Sequence, residues 1–497
     1  MAYVAAVAAV RIQSWIARTR ELRYVRGASK ALTQATSRAQ IETRANLPAG
    51  VRIDTDTNDV AGVCVLRSTD RNALDLAVNT LLDHFQRQLP GVEWDAWRAQ
   101  ATSYVVAYDA VHGKGGRGAA DVKRWPRRLP LSLHLPFVEP CVGCAHELAT
   151  TAVHVPGPKE AIPKLEGIGP DCAVRHAAGA NDMFKDFDEL AHQGRLGLTE
   201  GRRDAANHLA TICADGNRVG DFFSAVAALK QPTIQAQLSN AIDNALRTAV
   251  AEAEGCGPSG AVVAMRHFVG GDDVFASVAA PFAWKYVEIL GRRFEEEFGK
   301  GVEQVFNSEP SNTELRELAA SQSGRTVLEA AKAVSLGIGV AFANASHPIA
   351  DCRESALAAE ANAKRAMRGK VSAASWVDIT VEPSVGLAGG TIPAGRCVTI
   401  EQLGKDLAVD DPVLVMTPSA RNLLVTLLRP RPKDTAFDID RAVRAWATRV
   451  GRLEALRPFL PDKGDNDADA RIELLRHTAE RSRWWPKKED EASEEEQ

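Results

Sequence analysis

Apolar residues in this chain fall into short runs bounded by glycine, proline and charge, and the lengths of those runs alternate between strand and helix. Tyr3 to Val10 is a continuous apolar run of strand length. It lacks the leading basic region and cleavage site of a secretion signal, so a strand is expected there. Leu209 to Asp215 reads as a strand ending on a carboxylate. Asp221 through about Glu254 reads as a helix, with Phe222, Phe223, Val226 and Leu229 on one face, and Val262 to Phe268 with Val274 to Val278 as the strands of a hairpin. A helix at Pro281 to Phe298, a strand at Val334 to Phe342, a helix at Asp351 to Arg368 and a strand at Val371 to Val381 follow. Strand, helix, hairpin, helix, strand is the order of a ferredoxin-like sheet, which makes the expected fold class α+β. Phe437 to Leu456 places Ile439, Val443, Trp446 and Val450 at helical spacing, a stripe that predicts core packing in a C-terminal helical region.

The hairpin carries the clearest chemistry. Gly270-Gly271-Asp272-Asp273 sits between its two apolar runs, so the glycines allow positive φ and close approach of a phosphate, and two carboxylates stand at a tip expected to face solvent. Glycine and aspartate are also ordinary turn residues, and the chemical reading therefore needs a third carboxylate. Asp215 supplies it, at the end of a strand that the ferredoxin-like order places beside the hairpin. Asp215, Asp272 and Asp273 can then converge on two Mg²⁺ (or Mn²⁺), hard cations that take oxygen ligands and serve phosphoryl transfer.

Composition narrows the alternatives. The 497 residues, 45% of them hydrophobic, allow several cored domains, and no stretch approaches a membrane span. Sixty Lys and Arg against 64 Asp and Glu leave a net charge of -4, so any contact with nucleic acid must be local. Arg18 to Lys30 and the Gly-rich Lys114 to Arg128 around Trp125 are the local basic regions, while Lys487 to Gln497 is an acidic tail expected to be disordered. Arg429 to Lys433 reads as a loop between helices. Eight cysteines without a secretion signal point to a reducing cytoplasm. Cys141 and Cys144 have the spacing with which one turn offers two thiolates to Zn²⁺, with Cys172 and His176 as a second pair and His146 or His154 as other candidates for the last position. Such a site has a structural role. No nucleophile elbow or Walker P-loop is present.

These residues resemble the large polymerase/cyclase subunit of type III CRISPR effector complexes. Asp215-Gly-Asn-Arg-Val-Gly220 is similar to that family's Asp-Gly-Asp-x-x-Gly turn, with Asn217 in place of the second aspartate. Ser335 to Phe342 with His347-Pro348 resembles its next strand and turn. Ala356 to Lys364, running to Gly369-Lys370, resembles the helix that ends near the triphosphate. The resemblance implies two ferredoxin-like palm domains, and Ile12 to Ser29 looks like the opening helix of a degenerate first one, where no acidic triad is found. It further implies a zinc module between the palms with two cysteine pairs, a pattern from which Gly169 departs. The expected layout is a first palm over 1–113, a basic linker and zinc module over 114–200, a catalytic palm over 201–385, and a C-terminal helical domain over 386–497. No His-Asp dipeptide occurs, so the phosphohydrolase domain of many members is not expected here.

The implied function is antiviral defence by a nucleotidyltransferase that makes cyclic oligoadenylate or a related cyclic nucleotide from ATP. Asp215, Asp272 and Asp273 would bind the metal ions, Gly270 and Gly271 would give the triphosphate room, and Lys364 would bind phosphate. Implied partners are other CRISPR effector subunits and guide or target RNA. Two further readings stay open, a catalytically inactive scaffold subunit of an RNA-guided complex and a template-directed polymerase.

Overall fold

A computed structural model of the chain describes residues 2–485, apart from 56–57, 114–121, 127–138, 156–163, 180–182, 197–206, 308–312, 382–391, 394, 409–412, 414–415, 429–437 and 461–466. Most of the Lys114 to Arg128 region, the Arg429 to Lys433 loop and the acidic tail lie outside those residues.

The chain opens with strand β1 (Ala2–Val10), helices α1 (Ile12–Ile16), α2 (Leu22–Thr36) and α3 (Arg38–Arg44), strands β2 (Val51–Ile53) and β3 (Val63–Ser68), α4 (Arg71–Gln88), β4 (Glu93–Ala101), α5 (Tyr104–His112) and β5 (Lys123–Trp125). Its sheet is antiparallel throughout, in the order β2-β3-β1-β4-β5, which is a ferredoxin-like core with one added edge strand. β1 is a continuous apolar run because both its faces are covered. Ala5 and Val7 join the core under α2 and α4, while Val4 and Ala6 pack with Ala107 and Val111 of α5. The expected opening helix divides into α1 and α2.

A small module follows, with hairpin β6 (Thr151–Val155) and β7 (Lys164–Ile168), then α6 (Pro170–Ala178) and α7 (Phe187–His192). α6 crosses α2 with no room for side chains between the backbones. A Cβ on Gly27 would lie 1.8 Å from the Arg175 carbonyl oxygen, and one on Gly179 would lie 2.1 Å from that of Arg23.

The second ferredoxin-like unit contains β8 (His208–Asn217), α8 (Val219–Ala227), α9 (Pro232–Glu254), β9 (Ala264–Gly270), β10 (Asp273–Ala279), α10 (Ala283–Asn307), α11 (Thr313–Ala320), α12 (Gln322–Lys332), β11 (Ser335–Asn344), α13 (Ile349–Met367), β12 (Ala373–Asp378) and β13 (Cys397–Thr399). The sheet order is β13-β12-β11-β8-β10-β9, antiparallel except for the β11–β12 pair that α13 connects. The single helix expected from Asp221 to Glu254 is two, because Pro232 lacks the N–H of a helix interior and instead starts α9. β11 explains how α13 lies so close to the sheet. Leu336, Ile338, Val340 and Phe342 face α9 and α10, whereas the alternate positions Gly337, Gly339, Ala341 and Ala343 are small and face α13. A Cβ on Gly339 would meet the Ala356 carbonyl oxygen at 1.8 Å.

Helices α14 (Ile400–Ala408), α15 (Pro418–Leu427), α16 (Ile439–Arg449), α17 (Leu453–Leu456) and α18 (Ala468–Arg481) complete the structure. Val443 and Trp446 of the expected amphipathic stripe are buried in their own core, and the helix stops at Gly451, whose φ is 67°. The C-terminal helices are fastened to the second sheet by Trp484. Its ring stacks on Phe342 at 5.3 Å and its Nε1 donates to Asp378 at 2.9 Å. Trp484→Ala should lower stability by about 3–5 kcal/mol, measured as a shifted denaturant midpoint with the slope unchanged.

Candidate functional site

Asp215 is near the end of β8, the strand between β11 and β10, and faces Gly337 of β11 across the ladder. On its other side, β10 pairs Val274 with Ala214, so Asp273 comes level with Asp215 and lies within hydrogen-bonding reach of it. Asp272 occupies the turn and packs against Gly216, where a Cβ would come within 2.8 Å of the Asp272 carboxylate. Gly216 therefore keeps the two carboxylate-bearing segments in contact. Of the two turn glycines only Gly271 has positive φ, at 63°, and the space where its Cβ would stand is open. The tip does not face solvent as the sequence suggested. Asp272 and Asp273 are half-buried, because the first ferredoxin-like unit packs over this end of the hairpin.

The fourth participant is Lys364, from the last turn of α13. Its Nζ pairs with Asp215 and, at 3.0 Å, with Glu360 one turn earlier on the same helix. Gly337 makes this possible, since a Cβ there would sit 2.5 Å from Lys364 Cγ. The lysine stem thus crosses the strand through the space a side chain would fill. Glu360 was not singled out in the sequence, where a Glu-x-x-x-Lys pair on a helix usually marks a solvated face. Asn217 is buried, and its Nδ2 donates to Ser335 Oγ at 3.0 Å, which ties the end of β8 to β11 rather than presenting a further ligand.

The electrostatics show what this cluster lacks. Burial and then the Asp215 charge raise Asp272 to about 7, and burial, Asp215 and Asp272 raise Asp273 to about 8. Glu360 is also raised, chiefly by burial. Burial would lower Lys364, but the Asp215 and Glu360 carboxylates outweigh it and raise that ammonium. Negative charge therefore exceeds what one lysine neutralises, and Lys364 stands where a cation is wanted. Asp215, Asp272 and Asp273 offer carboxylate oxygens, the donor type that Mg²⁺ or Mn²⁺ takes, although without metal their oxygens do not all lie within 4.8 Å of one another.

The cysteine cluster is separate. Cys141, Cys144 and Cys172 are buried with their sulfurs all within 4.8 Å of one another, the one group of three such ligands among the described residues. The expected fourth ligand His176 is not part of it. Four residues beyond Cys172, its ring packs on Tyr24 at 5.7 Å instead. Sequence reasoning also missed the buried ion network beside the cysteines, where Arg18 pairs with Glu147 and Asp171, and Arg175 donates to Asp171 at 2.7 Å. Arg18 lies far from Glu147 and Asp171 in the chain, so its part of the network carries no local pattern, whereas Asp171 and Arg175 are one turn apart on α6.

A raised carboxyl favours the fold while it is protonated. That contribution is complete below the unfolded value of 3.8 and is lost as pH rises through about 7 for Asp272 and about 8 for Asp273. The melting temperature of the metal-free protein should therefore fall from about pH 5 to about pH 8 and level off above, and Asp273→Asn should flatten the profile. Thermal melts across buffers in the presence of chelator measure this.

Residues 208–373 match the family model of the second palm domain of Cas10/Cmr2. No curated protein matches the sequence. Among solved structures, the Csm1–Csm4 cassette in complex with cA3 is 13% identical with a TM-score of 0.53, the match covering 98% of this chain and 70% of that one. The cassette in complex with one ATP gives the same identity, coverage and score. Csm1 in T. onnurineus is 13% identical with a TM-score of 0.51, over 97% of this chain and 69% of that one. The segment that carries the half-buried Asp215, Asp272 and Asp273 is thus similar to the second palm domain of Cas10/Cmr2, in a chain that shares the fold of Csm1.

Proposed function

We propose that the chain is a nucleotidyltransferase that joins ATP molecules into a cyclic oligoadenylate, or a related cyclic nucleotide, as a signal in CRISPR-type antiviral defence. The observation that carries this reading is the convergence of Asp215, Asp272 and Asp273 beside Lys364, at a glycine turn opening on a cleft between the two palms. Gly271 and Asp272 line a cavity there of about 190 Å³. Its remaining wall includes Tyr104 and Tyr108 of the first palm, Phe223 of α8, and the amides Asn58 and Asn240. Aromatic faces and amides suit a nucleobase that is stacked and hydrogen-bonded. Burial, followed by the charge of Asp272, raises the Tyr108 hydroxyl, so base-binding and phosphate-binding features adjoin.

Asp215, Asp272 and Asp273 would hold the metal ions. Divalent ions held there would supply charge neutralisation of a triphosphate for attack by a 3′-hydroxyl. The open space over Gly271 admits phosphate oxygens, and Lys364, once released from Asp215, is placed to neutralise the pyrophosphate leaving group. The Csm1–Csm4 structures with ATP and with cA3 support the substrate and product classes, and a Csm4-like subunit as partner. Among the described residues no helix is long and apolar enough to cross a membrane. The scaffold reading draws on Asn217, which is engaged with Ser335, and on the Lys364 ion pair closed over Asp215.

Incubation of the purified chain with labelled ATP and Mg²⁺ or Mn²⁺, alone and with its complex, should release pyrophosphate and cyclic product. Asp272→Ala/Asp273→Ala should reduce the rate by at least about 100-fold; ATP binding without turnover in the assembled complex would instead establish a scaffold. Lys364→Met should raise the KM for ATP yet tighten Mn²⁺ binding without nucleotide, because the competing internal cation is gone. Titration calorimetry reads the second effect independently of catalysis.

A further inference from the structure

Tetrahedral Zn²⁺ takes four ligands, and the cysteine cluster offers three sulfurs. The histidines nearest in sequence are turned elsewhere, His176 onto Tyr24 and the Nδ1 of His146 onto the Cys144 carbonyl. Glu147 points inward. It is fully buried, and its Oε1 lies 3.6 Å from Cys144 Sγ. With Zn–S near 2.3 Å and Zn–O near 2.1 Å, the oxygen-to-sulfur edge of a tetrahedral site is roughly 3.6 Å.

Gly169 supplies an independent indication. It precedes Cys172 by the same interval that separates Cys141 from Cys144, so it occupies the place of the missing thiolate in a paired Cys-x-x-Cys site. A Cβ built on Gly169 would lie 2.4 Å from Glu147 Oε2, 2.5 Å from its Cβ and 3.0 Å from its Cδ. The glutamate side chain fills the volume that a residue-169 side chain would need. We propose that Glu147 is the fourth ligand and that the module binds one Zn²⁺ through Cys141, Cys144, Cys172 and the Glu147 carboxylate.

The surroundings are those of a ligating carboxylate. Oε2 accepts from the Asp171 N–H at 3.0 Å, and Arg18, whose side chain is 9% exposed, pairs with Oε1. These contacts fix the orientation of the carboxylate and supply positive charge beside a site whose four ligands are all anionic. Without metal Oε1 stands beside Cys144 alone and is not within 4.8 Å of all three sulfurs, so metal binding would have to draw the Glu147 carboxylate toward Cys141 and Cys172. The metal would lock the first turn of α6, which bears Cys172, to the loop that bears Cys141 and Cys144, and α6 rests backbone to backbone on α2. The proposal is independent of the nucleotide chemistry above.

X-ray absorption of the zinc-loaded full chain should show three sulfurs and one oxygen, without the outer scattering of an imidazole. Glu147→Gln should weaken zinc binding by about 10–100-fold in a chelator competition, and His176→Ala and His146→Ala should leave it unchanged. Glu147→Gly/Gly169→Cys, in which the residue-147 Cβ that would stand 2.5 Å from the new one is also removed, should restore tight binding with four sulfurs, which guards against a Glu147 variant that merely folds poorly. An imidazole in the first shell, a variant without Glu147 that binds as the parent does, or a parent that binds no zinc at one per chain would each overturn the assignment.

Discussion

Like charges brought together at the ends of neighbouring strands are the constraint around which the second palm is organised. Asp215, Asp272 and Asp273 come from β8 and the β9–β10 turn, and sheet register holds the backbones of Asp215 and Asp273 side by side. Such crowding is unfavourable unless protons or a cation relieve it. The structure uses both, with Asp272 and Asp273 pushed toward their neutral forms and Lys364 drawn onto Asp215. A fold that tolerates this arrangement without ligand has its binding energy for one already set aside.

Small residues bring the lysine into position. Gly337 and Gly339 remove the layer of side chains that ordinarily separates a helix from a sheet, and α13 rests almost directly on β11. The same device recurs where Gly27 and Gly179 let α2 and α6 cross. In both places a glycine answers to an approaching backbone or side chain rather than to a turn, whereas at Gly271 and Gly451 the position requires positive φ.

Much of this was legible in the sequence. β8, the β9–β10 hairpin, α10, β11, α13 and β12 follow from apolar runs whose lengths and order leave few alternatives, and the acidic residues are marked by the turns that hold them. The break before Pro232 was missed, although proline forbids the longer helix that the apolar spacing suggested. Glu360 was not, because an acidic residue one turn before a lysine looks the same whether it faces water or a site. Glu147 was not legible either. Its significance rests on a glycine distant in the chain whose absent side chain leaves it room, and that relation exists only in three dimensions. The half-burial of the hairpin tip likewise depends on the first palm, which no local pattern in the second one announces.

The position of Asp215 on an interior strand has a kinetic consequence. With β10 and β11 hydrogen-bonded on either side, the carboxylate cannot retreat, whereas its partner hangs from a helix on four methylenes. Exchange between the ion-paired arrangement and one that accepts a ligand therefore needs a rotamer change of one half-buried side chain and the breaking of its ion pair, not the movement of a strand. Hinge bending of the palms is not required to open the carboxylate to an incoming cation.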